Sequence, residues 1–342
     1  MGKRPRLILL GVAVALCVCV GVAYFGISRS SGAESPEVHV VGAATLGPGA
    51  DPIRTTRASS IGSDELLFVS MIPDRTAGSV AVAPLSDPAG TRALSKLRCE
   101  RVAYAGGRGV CLNRVGGEEA ESEVEIFDSR FDVKREFELE GIPSRARVSP
   151  DGRYAAITMF APPEEDVGEE GFSTETKIVD LETGDEALDF ERLRVTKGGR
   201  PFSTHDLQFS SVTFAADSDH FYASLGSGTA GHLLEGSIGD RTLEVLADRV
   251  DSPALSPDEK RVAFRRVVGG EGNWRLFVLD LGTMKARRLA GSEPIDDQAE
   301  WLDDDHVMYG NDNKLWVVPA DGSGKPERLL SFAFSPAVSR SS

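Results

Sequence analysis

Few side chains in this 342-residue chain stand at spacings that support chemistry. The string Gly226-Ser-Gly228-Thr-Ala-Gly231 has the GxGxxG form. A dinucleotide site needs that string to open a helix, so that phosphate meets the helix N-terminus. Here it links strand-like HFYASL (220–225) to strand-like HLLEGSI (232–238), and a hairpin turn is the expected role. Glu235-Gly-Ser-Ile-Gly239 lacks the first glycine of a nucleophile elbow. The five histidines, His39, His205, His220, His232 and His306, show no H-x-x-x-H pair for a metal. His220 and His306 fall at equivalent places just before a strand, which favours a structural role. Asp296-Asp297 and Asp303-Asp304-Asp305 form the densest acidic patch, but the glycine and distal glutamate of a calcium loop are missing. A solvated turn is expected there. Trp274, Trp301 and Trp316 read as core rather than ligand platforms. No catalytic, cofactor-binding or metal-binding residue is assigned.

The cysteines divide into two pairs. Cys17 and Cys19 lie inside an apolar run and read as filler. Cys99 and Cys111 flank the Gly106-Gly107 turn in LRCERVAYAGGRGVCLN. That turn brings its two strands together, so a disulfide is expected if the compartment is oxidising.

The compartment is suggested by the N-terminus. Leu7 to Ile27 is a 21-residue stretch without a charge, preceded by Lys3, Arg4 and Arg6. About 20 apolar helical residues cross a bilayer, and a basic flank stays cytoplasmic. Residues 1–27 are therefore expected to form a single transmembrane anchor, with the body outside. Cleavage of a signal peptide near Ala33 is the alternative, giving a secreted protein. A lipid anchor at Cys17 or Cys19 is the weakest reading, because Leu16 and Val18 precede them where a small residue is expected. Residues 28–63, rich in Ser, Gly, Ala, Pro and Thr, read as a flexible tether and lead-in.

From about Asp64 the pattern is all-β. Runs such as ELLFVSM (65–71), SVAVAPL (79–85), YAAITMF (154–160) and RLFVLDL (275–281) are β-branched or aromatic and are punctuated by Gly, Pro, Asp and Asn. PPEEDVGEEG (162–171) reads as a solvated hairpin loop. Internal repeats follow: RARVSPDGRYAAIT (145–158), SSVTFAADSDHFYAS (210–224), DSPALSPDEKRVAFRR (251–266) and DQAEWLDDDHVMYGN (297–311). Each is strand, turn, strand. Each then runs into a second strand pair such as RLFVLDLGTMKARRLA, so one repeat supplies four strands, one propeller blade. Six blades are expected near 64–98, 99–143, 144–196, 205–249, 250–292 and 293–331. The tail SFAFSPAV (331–338) is expected to close the ring, giving a propeller over 64–338.

These repeats resemble the TolB-like and WD40-like propeller repeats. The residues that carry the resemblance are Ser149-Pro150-Asp151-Gly152, Ser256-Pro257-Asp258, Asp280 to Thr283 with Arg288-Leu289, and Asp321-Gly322 with Arg328-Leu329. Ala215-Ala216-Asp217, Leu302-Asp303-Asp304 and Glu259 depart from the turn pattern. The resemblance covers about 145–331 well and 64–144 loosely. It implies a six-bladed propeller, often extracytoplasmic, without implying one function. TolB carries an α/β domain before its propeller, and this sequence shows no counterpart.

The formal charge is −15, and removing the three N-terminal basic residues leaves −18 on the rest. Such a body repels nucleic acid. The expectation is a non-catalytic, membrane-anchored binding module, with a protein partner or small ligand at the rim or channel. The alternatives are a lyase or glycoside hydrolase using the channel, and a module that organises the envelope.

Overall fold

A computed structural model describes residues 37–48, 50–116, 121–161, 173–202, 208–226, 231–269, 272–291, 295 and 297–340. The expected anchor (1–27) and acidic loop (162–171) lie outside these residues. Among the described residues, no helix is long and apolar enough to cross a membrane.

The apolar runs form strands because both of their faces are covered. Blade one shows the logic. In Glu65–Ser70, Leu67 and Val69 face blade two, while Leu66 and Phe68 face blade six. A strand buried on both sides has no polar alternation, hence the run ELLFVSM. Six antiparallel blades result. Blade two is Arg101–Ala105, Arg108–Val115, Glu121–Asp128 and Val133–Glu140. Blade three is Ile142–Val148, Tyr154–Ala161, Ser173–Asp180 and Glu186–Asp189, and blade four is Phe209–Phe214, His220–Leu225, His232–Ser237 and Thr242–Asp248. Blade five is Asp251–Leu255, Arg261–Val267, Trp274–Asp280 and Lys285–Arg288. Blade six is Glu300–Trp301, His306–Asn311, Lys314–Pro319 and Glu327–Ser331. The core is divided among six clusters, one between each neighbouring pair of blades.

The ring closes through its C-terminus. Ala333–Ser339 pairs antiparallel with Glu65–Ser70 on the inner edge of blade one, whose other strands are Ser79–Pro84 and Arg92–Arg98. The last strand thus completes the first blade, and the ring is left without a free inner edge.

Two expectations need correction. Regular structure begins before Asp64. Ile53–Arg57 pairs parallel with Arg92–Arg98, and His39–Val41 pairs with Ile53–Arg57, so blade one has six strands. Ile53 and Thr55 are buried, which is why a Thr- and Arg-rich stretch is ordered there. Likewise Val195–Lys197 does not end blade three. It pairs parallel with Thr242–Asp248 and extends blade four, followed by Arg200–Pro201. The two enlarged blades stand opposite one another in the ring.

Cys99 and Cys111 form a disulfide, with Cα atoms 5.3 Å apart. The Gly106-Gly107 hairpin sets Val102 opposite Cys111, and both cysteines are buried between blades one and two.

Candidate functional site

The site is built from the turns that end the first strands of blades two to six. In blade three, the Ser149 hydroxyl donates to Asp151 Oδ1 at 2.6 Å and accepts from the Tyr154 amide at 2.9 Å. Blade five repeats this with Ser256, Asp258 and the Arg261 amide at 2.6 and 3.0 Å. Where blade four has Ala215-Ala216-Asp217, Asp217 alone holds the turn through the amides of Asp219 and His220.

The turns are laced to one another. Asp151 N–H donates to Ser218 Oγ at 3.1 Å, Ala216 N–H to Glu259 Oε1 at 2.5 Å, and Arg261 Nη2 to the Asp304 carbonyl at 2.5 Å. Ser218 and Glu259, the departures from the glycine of the turn, therefore each reach the preceding blade. Both adopt positive φ, 61° and 58°. Between blades two and three the lacing is replaced by backbone contact. A Cβ on Gly106 would meet the Gly152 nitrogen at 2.2 Å, and one on Gly152 would meet the Gly106 carbonyl at 2.6 Å.

This ring of turns surrounds a funnel of about 570 Å³. Its walls include Val102, Tyr104, Phe214, Leu255 and Val338. Its polar floor is Arg147, Gln298 and Glu300, with Arg340 at the side. The floor spans the axis. Gln298 Nε2 donates to the Ala146 carbonyl at 3.1 Å, and Arg147 donates to the Ala299 carbonyl and forms an ion pair with Glu300. Blades three and six lie opposite each other, so these bonds brace the channel across its middle. Burial pulls the Arg147 guanidinium down to about 10, still charged at neutral pH.

Below this brace lies a second charged level. Arg101 Nη1 meets Asp297 Oδ1 at 2.5 Å, and its guanidinium sits 4.3 Å from the Phe334 ring centroid. Asp297 also accepts from the amides of Gln298 and Ser335, at 2.8 and 3.2 Å. Arg265 donates twice to Asp251 Oδ2, at 3.0 and 2.5 Å, and the Ser252 hydroxyl adds 2.9 Å. Burial pushes the Asp251 carboxyl up, but Arg265 and Arg145, with the bonds from Arg265 and Ser252, outweigh it and hold it below its ordinary value. Bulges deliver these groups. Ser211, Ser252 and Ser335 all have positive φ within first strands that shift register, which re-aims their neighbours toward the axis.

The acidic patch divides: Asp303, Asp304 and Asp305 form the exposed turn expected of them, whereas Asp297 does not. Asp297 is 1% exposed and ion-paired, because it lies in the segment that leads into Glu300–Trp301, the innermost strand of blade six. Asp296 lies outside the described residues. Asp303 holds its turn by accepting from the Asp305 amide and meeting His306 Nδ1 at 2.9 Å. His220 makes the same contact with Asp217 at 2.6 Å, so the two equivalent histidines are turn braces. His232 meets Asp248 at 2.7 Å, His39 lies in an edge strand, and His205 is outside the described residues. Among the described residues no three His, Cys, Asp or Glu converge as metal ligands. Trp301 is buried and donates to the Ala254 carbonyl at 2.8 Å, and Trp274 and Trp316 are half-buried. Of the GxGxxG string, residues 227–230 lie outside the described residues, but its flanking strands pair antiparallel with Leu225 opposite His232, a hairpin context.

The channel residues Arg101, Arg145, Arg147, Asp251, Arg265 and Glu300 were not marked by sequence reasoning. For the first-strand residues the available signal was a charge shortly before the turn in blades two, three, five and six, as in RARVSPDG and DSPALSPD.

No family model matches the chain, and no curated protein matches it. Solved structures do. TolB from Acinetobacter baumannii aligns with a TM-score of 0.53 at 16% identity, over 81% of this chain and 67% of that one. A chain of a nidogen/laminin complex aligns at 0.53 and 10% identity, over 80% and 97%. Oligogalacturonate lyase in complex with manganese aligns at 0.50 and 9% identity, over 79% and 75%. At these identities the likeness is one of fold: this chain folds as a six-bladed β-propeller, similar in architecture to that of TolB.

Proposed function

We propose that this chain is a membrane-anchored, extracytoplasmic propeller that binds a protein segment or small ligand in its funnel without transforming it. The observation that carries the reading is the division of labour in the channel. The floor charges Arg147 and Glu300 are engaged with each other across the axis. What remains toward the mouth is a largely apolar and aromatic wall on a rigid, laced rim, the surface that binding sites use. The propeller neighbours include one crystallised as part of a protein complex, nidogen with laminin. The uncharged 21-residue run with its basic flank supports the anchor, and the Cys99–Cys111 disulfide supports an oxidising compartment.

The enzyme reading draws on neighbours such as the lyase. It requires carboxylates free to exchange protons or attack. Asp251, Asp297 and Glu300 each face an arginine instead, and the Asp251 carboxyl is held in its charged form.

A photocrosslinking residue placed at position 257 on the funnel rim, and separately at position 285 on the outer strand of blade five, tests the binding reading in native membranes. A discrete adduct from 257 and none from 285 is expected. Adducts from 285 alone would overturn it. The chain lacking residues 1–27 is expected to leave the membrane fraction, and its retention there would remove the anchor.

A further inference from the structure

Arg145 is the one guanidinium of the lower channel level without a carboxylate partner among the described residues. It projects from the innermost strand of blade three. The charges that act on it come from three other blades: Arg265 and Asp251 of blade five, Asp297 of blade six and Arg101 of blade two. Charges from three other blades act together only on a side chain that faces the channel. Arg101 and Arg265 each have a carboxylate at 2.5 Å. Arg145 donates through Nη1 to a neutral acceptor, Ser144 Oγ, at 3.2 Å. Its Nε is buried and has no acceptor among the described residues. Three cations and two anions leave this level one positive charge in excess.

An uncompensated guanidinium held away from bulk water is costly, and a guanidinium has five N–H donors in a planar fork. Burial, then Arg265, lowers its affinity for its proton to about 10, so it stays cationic at neutral pH. The level is nonetheless wetted: Asp251, Arg101 and Arg265 side chains are 19%, 16% and 12% exposed. Arg145 precedes Arg147 by two residues in a strand that ends at the funnel rim. It therefore lies beneath the brace, about 7 Å further from the funnel. The paired hydroxyls of Ser211 and Ser252, 3.4 Å apart, border the same level.

We propose that this level is an oxyanion site in which Arg145 takes the carboxylate or phosphate group of a ligand. A single negative charge balances the level. A planar fork fits a carboxylate or phosphate edge through two parallel bonds. The site is separate from the funnel, so its failure leaves the funnel reading intact.

The test uses the full chain in detergent. Thermal unfolding is followed as acetate or inorganic phosphate replaces chloride at constant ionic strength. Tm is expected to rise with either anion over chloride, and the larger rise identifies carboxylate or phosphate as the natural group. Arg145→Met is expected to fold and to lose the response. Arg145→Lys, which keeps the charge without the fork, is expected to bind about tenfold more weakly by calorimetry. No rise over chloride in the wild type overturns the proposal. So does an equal rise in Arg145→Met, or, should that variant fail to fold, unchanged affinity in Arg145→Lys.

Discussion

Removing Glu300 isolates what the cross-channel brace contributes. Glu300 and Arg147 are 12% and 14% exposed, and they join blades that stand opposite each other. In Glu300→Ala the Arg147 guanidinium keeps the Ala299 carbonyl and loses its only carboxylate partner among the described residues. Breaking a buried pair by deleting one partner costs about 3–5 kcal/mol, because the other charge is left desolvated. Propellers of this size have stabilities on the order of 10 kcal/mol, so the loss is a large share. It corresponds to a Tm lower by about 5–10 °C. Replacing both residues by methionine removes the stranded charge, and the double variant is expected within about 1 kcal/mol of wild type, or above it. A control on the surface pair, Arg114→Gln, where the partners are 59% and 39% exposed, is expected to cost under about 1 kcal/mol. Urea unfolding followed by tryptophan fluorescence reads all three. A Glu300→Ala variant as mild as the surface control, or a double variant as unstable as the single one, would rule out the brace.

Other consequences follow from the same geometry. The Asp251 carboxyl is held below its ordinary value, so its contribution is full above the unfolded pKa and is lost as pH falls through the lower folded value. Asp251→Asn is expected to be less stable at neutral pH and to show a flatter loss of stability below about pH 4. An acid titration with unchanged slope would contradict this. Gly152→Ala places a Cβ 2.6 Å from the Gly106 carbonyl at φ 72°, and a loss of about 2–5 kcal/mol is expected in equilibrium unfolding. Reducing Cys99–Cys111 closes no new contact but frees the unfolded chain, and a loss of about 3 kcal/mol is expected on adding reductant under denaturant titration.

The blades were legible because a propeller strand is covered on both faces and shows itself as an unbroken apolar run. The turns were legible because Ser-Pro-Asp-Gly performs local hydrogen bonding that needs those side chains. The added outer strands His39–Val41, Ile53–Arg57 and Val195–Lys197 were not. They are short, and their parallel partners lie more than thirty residues away for Ile53–Arg57 and more than forty for Val195–Lys197. Local composition made them read as tether or as the end of the preceding blade. The channel charges were hidden for a different reason. A charged residue within a strand reads as solvent-facing. Arg147 and Glu300 are 153 positions apart, and only ring closure sets them across one axis. Asp297 was singled out for its acidic neighbours, whereas its role depends on Arg101 and Ser335, which the sequence does not bring near.

The most direct test of the funnel as the binding face is amide hydrogen exchange on the full chain. Protein in native membranes is compared with protein stripped of partners and ligands. Protection is expected at the rim turns Ala105–Arg108, Pro150–Arg153, Ala216–Ser218 and Pro257–Lys260. Equal exchange at these turns, with protection on outer strands such as Val133–Glu140 or Lys285–Arg288, would contradict the account.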